Sequence, residues 1–236
     1  MAKHIAVFGS PGSGKSVFCA ALAKEILNRK KRTVIVSGDH LIPMVPFFCG
    51  DSDVWGLGRL CAGEIIPRKV AQSVRVLKKY PDIGVIGMQL VDDMTSVTGE
   101  QLIRISEVLN NMADVVLWDG VSDMDSVFDQ MILTNTDLQV CLLTADMKGI
   151  LYFEQHQKKI QRLNHPLLVE GLSRPYSVHE EMSYRVGGFE GSLPFGREIE
   201  RICLEGKVFS VDEVCHKKYR ETVEQTVEKV LAGKEG

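Results

Sequence analysis

The stretch from Gly9 to Ser16 constrains this sequence more than any other feature, because it reads Gly-x-x-x-x-Gly-Lys-Ser. An apolar run, His4–Phe8, precedes it, and a helical pattern begins at Lys15. Its glycines let the backbone turn tightly and point amide hydrogens inward, and the helix N-terminus adds partial positive charge. A strand, this loop and a helix in succession are the context in which such a loop binds nucleotide phosphates.

The side chains of the loop indicate the ligand. Lys15 can reach the β- and γ-phosphates, and the Ser16 hydroxyl is placed to ligate Mg²⁺. The sequence contains no Asn-Lys-x-Asp segment of the kind that reads guanine. We therefore expect ATP and Mg²⁺ as cofactors. The predicted nucleotide-binding residues in this loop are Gly9, Ser10, Pro11, Gly12, Ser13, Gly14, Lys15, Ser16 and Val17.

Hydrolysis also needs a carboxylate near Mg²⁺, and two aspartates follow apolar runs. Asp119 ends the run that starts at Asp114, and Asp39 ends the run that starts at Val34. In a parallel sheet the carboxyl ends of the strands face the ligand. We predict that Asp119 binds Mg²⁺ with Ser16, and that Lys15, Asp39 and Asp119 serve catalysis. A turn or helix-cap role is the alternative for either aspartate.

Short β-branched runs alternate with longer helical patterns, which is typical of an α/β fold whose mostly parallel sheet carries helices on both faces. No linker or repeat divides the chain, so we expect one nucleotide-binding domain over residues 1–236. The predicted strands are His4–Phe8, Thr33–Val36, Ile83–Gly87, Val115–Trp118, Gln139–Leu143 and Pro166–Val169, with a weaker one at Phe189–Leu193. The predicted helices are Lys15–Lys30, Arg68–Tyr80, Glu100–Met112, Asp125–Leu133, Lys148–Arg162 and Val211–Leu231.

Composition narrows the classes of partner. The formal net charge is −3, which gives no general attraction for nucleic acid. The six cysteines show no metal or redox spacing, and we expect reduced thiols. No apolar run reaches about 18 residues, and no signal peptide precedes the first strand. We therefore expect a cytoplasmic protein without a transmembrane segment.

Residues 43–64 differ from the rest in being rich in Gly, Pro and aromatic side chains, among them Phe47, Phe48 and Trp55. Only short helical turns are expected there. A connection this long in a compact fold is usually functional, so we predict an interaction surface.

These motifs, in this order, resemble the MinD/ParA superfamily of P-loop ATPases, and most closely the CpaE/TadZ proteins of pilus assembly. The segment 56–64, GLGRLCAGE, is similar to a family segment that follows the second strand's acidic loop. The segment that begins Ser192-Leu193-Pro194-Phe195 resembles a late family segment near the nucleotide base. The resemblance implies base contact by Pro194, a nucleotide-linked homodimer, and a protein partner in a pilus, secretion or positioning machinery.

The sequence departs from the family pattern at several positions. Ser10 and Pro11 stand where the family has an early lysine and a glycine, and Ser37 stands where many members have a first aspartate. Glu170 replaces a common asparagine.

Three functional hypotheses remain from the sequence. The leading one is an ATP-dependent switch with slow ATPase activity that acts on a protein partner. The second is a P-loop kinase for a small molecule or nucleotide, although Arg59, Arg68, Arg174 and Arg197 are too dispersed to resemble a lid. The third is a nucleotide-binding scaffold with little hydrolysis.

Overall fold

The structure is a computed structural model that describes residues 1–50, 56–89, 92, 97–174 and 177–232. Strands and helices alternate along most of the chain. The strands are β1 (Lys3–Gly9), β2 (Thr33–Ser37), β3 (Arg75–Val76), β4 (Ile83–Gly87), β5 (Val115–Asp119), β6 (Leu138–Leu143), β7 (Leu167–Ser173) and β8 (Gly191–Pro194). The helices are α1 (Lys15–Asn28), α2 (Val45–Cys49), α3 (Leu57–Cys61), α4 (Pro67–Ser73), α5 (Gly99–Leu109), α6 (Val127–Thr134), α7 (Met147–Ile160), α8 (His179–Val186), α9 (Arg197–Leu204), α10 (Val211–Val214) and α11 (Lys217–Leu231).

The strands form one sheet in the order β3-β4-β2-β5-β1-β6-β7-β8. Every neighbouring pair is parallel except β3 and β4, which run antiparallel at one edge. The fold class expected from the sequence, a mostly parallel sheet with helices on both faces, is confirmed.

Each face of the sheet carries its own apolar layer, because successive strand residues point to opposite faces. In β1, Ile5 and Val7 pack with α1 and α11, whereas Ala6 and Phe8 pack with α5, α6 and α7. All four side chains are fully buried. Burial on both faces explains why the central strands read as continuous apolar runs.

The strand register sets the position of the candidate site. Ser37 at the end of β2 lies opposite Asp119 at the end of β5, and Asp119 lies opposite Val7 in β1. Gly9, at the end of β1, lies opposite Leu142 in β6. The carboxyl ends of β2, β5, β1 and β6 therefore meet at one edge, where the loop Gly9–Ser16 begins.

The predicted helix Arg68–Tyr80 is wrong in its second half. Helix α4 ends at Ser73, Val74 is extended, and Arg75 and Val76 pair with β4 as an edge strand. The β-branched Val74 and Val76 favour an extended backbone, and β4 offers free backbone partners at the sheet edge.

The predicted helix Val211–Leu231 is two helices. The backbone is extended at Cys215 and at His216, and the His216 side chain caps α11 by accepting from the Lys218 amide at 3.2 Å. A side-chain cap at this point satisfies an amide that a continuous helix would otherwise have paired internally.

Other boundaries differ by a few residues, and two helices were not predicted. Strand β8 begins at Gly191 instead of Phe189, and β7 runs on to Ser173. Helices α8 and α9 were missed, while α2 and α3 are the short turns expected within 43–64. Trp55 lies outside the described residues. All six cysteines are free thiols, and no helix in the described part of the chain combines the length and apolarity needed to cross a membrane.

Candidate functional site

The loop Gly9–Ser16 requires glycine at two of its turns. Gly9 has φ +136°, and a Cβ there would lie 1.9 Å from the Leu142 carbonyl oxygen of β6. Gly14, the residue before α1, has φ +91°, and a Cβ there would lie 2.6 Å from the Leu172 side chain. The backbone therefore adopts a compact conformation that side chains at these positions would prevent.

Lys15 lies in the first turn of α1, and its side chain turns back over the loop. Its ammonium group donates to the Ser122 hydroxyl and to the Ser10 carbonyl, the latter at 3.5 Å. Burial lowers the pKa of Lys15, and attraction to Asp119, Asp129 and Asp39 opposes that shift. The cation is thus held among carboxylates close to the loop amides, where phosphate oxygens would meet it.

Asp119 is the buried carboxylate of the site. Its Oδ2 accepts hydrogen bonds from Ser16 Oγ at 2.8 Å and from Ser37 Oγ at 3.1 Å. Desolvation raises the pKa of Asp119 to about 6, although Lys15 and the two hydroxyls act in the opposite direction. Its Oδ1 is buried and has no hydrogen-bond partner among the described residues.

This donor set fits Mg²⁺. A hydroxyl oxygen and a carboxylate oxygen lie side by side, and the carboxylate has a second, unsatisfied oxygen. No cluster of three or more His, Cys, Asp or Glu side chains that could hold a metal occurs among the described residues. Magnesium is commonly held by one or two protein oxygens together with substrate phosphates, so Ser16 and Asp119 would hold it jointly with a nucleotide.

Asp39 follows β2 at the same edge of the sheet, but its carboxylate bonds within its own loop. Its Oδ1 accepts from the backbone amides of Leu41 and Ile42, both at 3.0 Å. It still acts electrostatically on Lys15 and on Asp119. The turn role considered for this aspartate is thus present in the structure, while its catalytic role stays a prediction.

Ser10 is fully buried and ties the loop to the segment after β6. Its hydroxyl accepts from the Thr144 amide at 3.0 Å and lies 3.2 Å from the Thr144 hydroxyl. Thr144 in turn donates to Asp146, which caps α7. The side chain at this position therefore points into the protein and not toward a ligand.

The remaining predicted loop residues differ in exposure. Pro11 and Gly12 are exposed and line a cavity of about 220 Å³ together with Lys148 and Arg174. Ser13 is buried, and its hydroxyl has no partner in the described structure. Val17 is half-buried in the first turn of α1.

Glu170 and Pro194, the two residues expected near the nucleotide base, differ in their surroundings. Glu170 is buried, and its Oε2 accepts from Ser192 Oγ at 2.8 Å and pairs with His179 Nδ1 at 3.0 Å. Pro194 ends β8 and is half-buried. The next residue, Phe195, has the Arg174 guanidinium 5.4 Å from its ring centroid.

Sequence reasoning missed two contributors, Ser122 and Asp129. Ser122 has φ +75° and holds Lys15. Asp129 is fully buried in α6, and its Oδ1 accepts from the Val121 amide at 2.8 Å. Desolvation raises the pKa of Asp129 to about 6. The sequence Ser126-Val127-Phe128-Asp129 indicates a helix start, but the contact with Val121 depends on tertiary folding.

Several solved structures share this architecture. A ParA family ATPase from Chlorobium tepidum matches with a TM-score of 0.77 and 12% identity over 96% of this chain and 99% of that chain. The chain has the fold of the MinD and ParA ATPases. MinD from Pyrococcus horikoshii, complexed with Mg-ADP, matches with a TM-score of 0.74 and 15% identity over 99% of this chain and 98% of that chain.

A third structure with the MinD/ParA fold is the MinC:MinD cell division complex of Aquifex aeolicus, with a TM-score of 0.73 and 12% identity over 99% and 98% of the two chains. A family model described as the central domain of helicase HerA matches residues 1–37, which contain β1, the glycine-rich loop, α1 and β2. No curated protein matches the sequence at a significant level.

Proposed function

We propose that the chain is a cytoplasmic, nucleotide-dependent switch with slow ATPase activity, built as one domain over residues 1–236. One observation carries the proposal. Ser16 bonds to the buried Asp119 at 2.8 Å beside the glycine-rich loop, and the second oxygen of that carboxylate has no partner among the described residues. A buried acceptor without a partner costs free energy, which a bound Mg²⁺ would recover.

The residues take distinct roles in this proposal. The amides of Gly9–Ser16 and the Lys15 ammonium bind the phosphates, and Ser16 and Asp119 hold Mg²⁺, which neutralises charge on the phosphates. Val17, directly after the loop, and Pro194, whose contact with the base the resemblance implies, complete the proposed nucleotide-binding residues. Bound nucleotide competes with Ser122 for Lys15, so the loops that carry Ser122 and Asp39 change between the two states.

The relatives support a protein partner. The Aquifex relative is a complex of MinD with MinC, and the Pyrococcus relative holds Mg-ADP. We propose a partner in a pilus, secretion or positioning machinery, with CpaE/TadZ proteins as the nearest functional analogues. A nucleotide-linked homodimer belongs to the same proposal, although the buried Ser10 offers no charge to a second subunit.

Calorimetric titration with Mg-ATP tests the binding site. Charge-assisted hydrogen bonds are worth about 1.5–3 kcal/mol, so Lys15→Ala should raise the Kd by about tenfold or more. Lys31→Ala, an exposed lysine that follows α1, is the matched control and should leave the Kd unchanged. Equal affinity of Lys15→Ala and the wild type would refute the proposed site.

Phosphate release then separates the three hypotheses. If the chain is an ATPase switch, it releases phosphate from ATP. Asp119→Asn should abolish this phosphate release, and Asp39→Ala should reduce its rate. Transfer of phosphate to an added small-molecule acceptor would instead show a kinase. Tight Mg-ATP binding without phosphate release, alone or with candidate partners, would show a scaffold. The buried Ser10 and the loop-bonded Asp39 are the observations that favour the scaffold as second candidate.

A further inference from the structure

A groove of about 390 Å³ lies away from the nucleotide site, on the face of the sheet that carries α1 and α11. We call it the aromatic groove. Its walls come from α2, the turn between β3 and β4, and the short 3-10 segment Val208–Ser210 before α10. Its lining residues include Phe47, Phe48, Lys78, Lys79, Tyr80, Lys207 and Phe209.

The floor of the aromatic groove is a continuous row of rings. Phe48 and Phe209 are buried with centroids 6.1 Å apart, and Tyr80 lies 5.8 Å from Phe209. Phe47 is half-buried and packs edge-on against Phe48 at 5.5 Å. Such a floor offers an apolar pocket with two partly accessible rings, which suits a large apolar or aromatic side chain.

The rim of the aromatic groove is cationic. Lys78 and Lys79 are exposed, and the lining residues that the structure describes include no acidic side chain. Lys207 is also exposed, but its ammonium pairs with Glu205, next to the groove, at 2.8 Å. The Lys79 ammonium lies 5.2 Å from the Tyr80 ring centroid, so the positive charge borders the aromatic floor directly. Because the whole chain carries a net charge of −3, this is a local feature and not a general basic surface.

The walls of the groove are connected to the nucleotide site. Helix α2 begins at Val45, shortly after the Asp39 loop. Lys24 of α1 lies 4.4 Å from the Tyr80 ring centroid, and α1 begins at Lys15. At 1.5 Å per residue, Lys24 stands about 13 Å along the helix from Lys15. Helix α2, a wall of the groove, and helix α1, which contacts Tyr80 of the floor through Lys24, thus both continue from loops that the nucleotide would contact.

We infer that the aromatic groove binds a short acidic segment of a protein partner, in which an aromatic or large aliphatic side chain is flanked by Asp or Glu. The apolar side chain enters the pocket over Phe48 and Phe209, and the carboxylates pair with Lys78 and Lys79 of the rim. Charge complementarity commits the groove to an acidic occupant. The inference names the partner class of the switch proposed above, and in that respect rests on it.

Selection of random short peptides on the full-length wild-type chain, without nucleotide, tests the inference. We expect the selected peptides to contain an aromatic or large aliphatic residue between acidic residues. Fluorescence anisotropy of a synthetic peptide from that set should then show binding to the wild type. Lys78→Glu/Lys79→Glu and, separately, Phe47→Ala should each weaken the binding by about tenfold or more.

Controls make each outcome decisive. Lys31→Glu reverses the charge of an exposed lysine outside the groove and should leave peptide binding unchanged. Lys78→Glu/Lys79→Glu changes only exposed side chains, so this variant stays folded even if Phe47→Ala unfolds the chain. Selected peptides without acidic residues, or equal binding to the charge variant, would overturn the inference. A concentration-dependent dimer that Lys78→Glu/Lys79→Glu abolishes would also overturn it, because a second copy would then fill the groove. Mg-ATP affinity of the same variants stays at the wild-type value, which keeps this result separate from the proposed nucleotide site.

Discussion

Replacement of Asp119 by asparagine should stabilise the ligand-free protein at neutral pH. Burial raises the pKa of Asp119 from 3.8 to about 6. A difference of about two pKa units corresponds to about 3 kcal/mol of stability lost when the carboxyl group is ionised. Asparagine removes the ionised group, and its amide oxygen can still accept from the hydroxyls of Ser16 and Ser37.

The gain is smaller than the full desolvation cost, because Lys15 loses its strongest attractive partner. We expect Asp119→Asn to raise the free energy of unfolding by about 1–2 kcal/mol near neutral pH. For a chain of this size that is an increase in Tm of about 2–8 °C.

The stability difference between Asp119→Asn and the wild type should change with pH in a defined direction. Between pH about 4 and about 6 the folded wild type retains a proton on Asp119 that the unfolded chain has released, so wild-type stability falls as pH rises through this window. At lower pH the carboxyl group is protonated in both states and the penalty is absent. The advantage of Asp119→Asn should therefore be large above pH about 7 and nearly absent at pH about 4.

Urea unfolding at these two pH values measures the difference. Asp137→Asn is the matched control, since Asp137 is exposed and also accepts a hydrogen bond, from the His4 amide at 2.8 Å. Added Mg-ATP should reverse the order, because ligand at about 100 times its Kd stabilises the wild type by about 2.7 kcal/mol. A variant less stable than wild type at neutral pH, or an advantage independent of pH, would refute this reasoning.

Two further substitutions test the supports of the site. Asp129→Ala leaves the buried Val121 amide without its acceptor, so this amide should exchange its hydrogen about tenfold faster than in Asp129→Asn, as measured by NMR. Equal exchange rates in the two variants would contradict that role. Ser10→Ala removes the acceptor of the Thr144 amide and should lower the free energy of unfolding by about 1–3 kcal/mol in urea titrations, whereas an unchanged midpoint would show that Ser10 is dispensable.

Local patterns were sufficient to predict the core of the site. The glycine-rich loop, Lys15 and Ser16 are contiguous, and Asp119 could be found because a buried parallel strand places its last residue at the ligand edge. The structure brings Ser16 and Asp119 into contact, as that logic requires. Asp39 follows β2 at the same edge, where its carboxylate accepts from its own loop amides, and its catalytic role stays a prediction.

Long-range contacts could not be predicted in this way. Asp129 meets Val121 only after α6 has packed on the sheet, and Ser10 meets Thr144 only because β1 and β6 are neighbours. The edge strand at Arg75 and Val76 was mistaken for helix, because its pairing with β4 is a tertiary contact that overrides a helical pattern. The aromatic floor of the groove likewise joins segments far apart in sequence.

Some of the buried polar atoms that lack partners in the described structure lie around the candidate site. Ser13 Oγ, Asp119 Oδ1 and Asp129 Oδ2 are buried without partners within the described structure, and they lie in the phosphate loop, at the end of β5 and in the helix after it. Ser122 holds Lys15 from a left-handed backbone that is unfavourable for serine. A buried polar atom without a partner costs stability, so a ligand that supplies partners to these atoms favours the loop arrangement in which it reaches them. That difference in free energy between the two loop arrangements is what a switch requires.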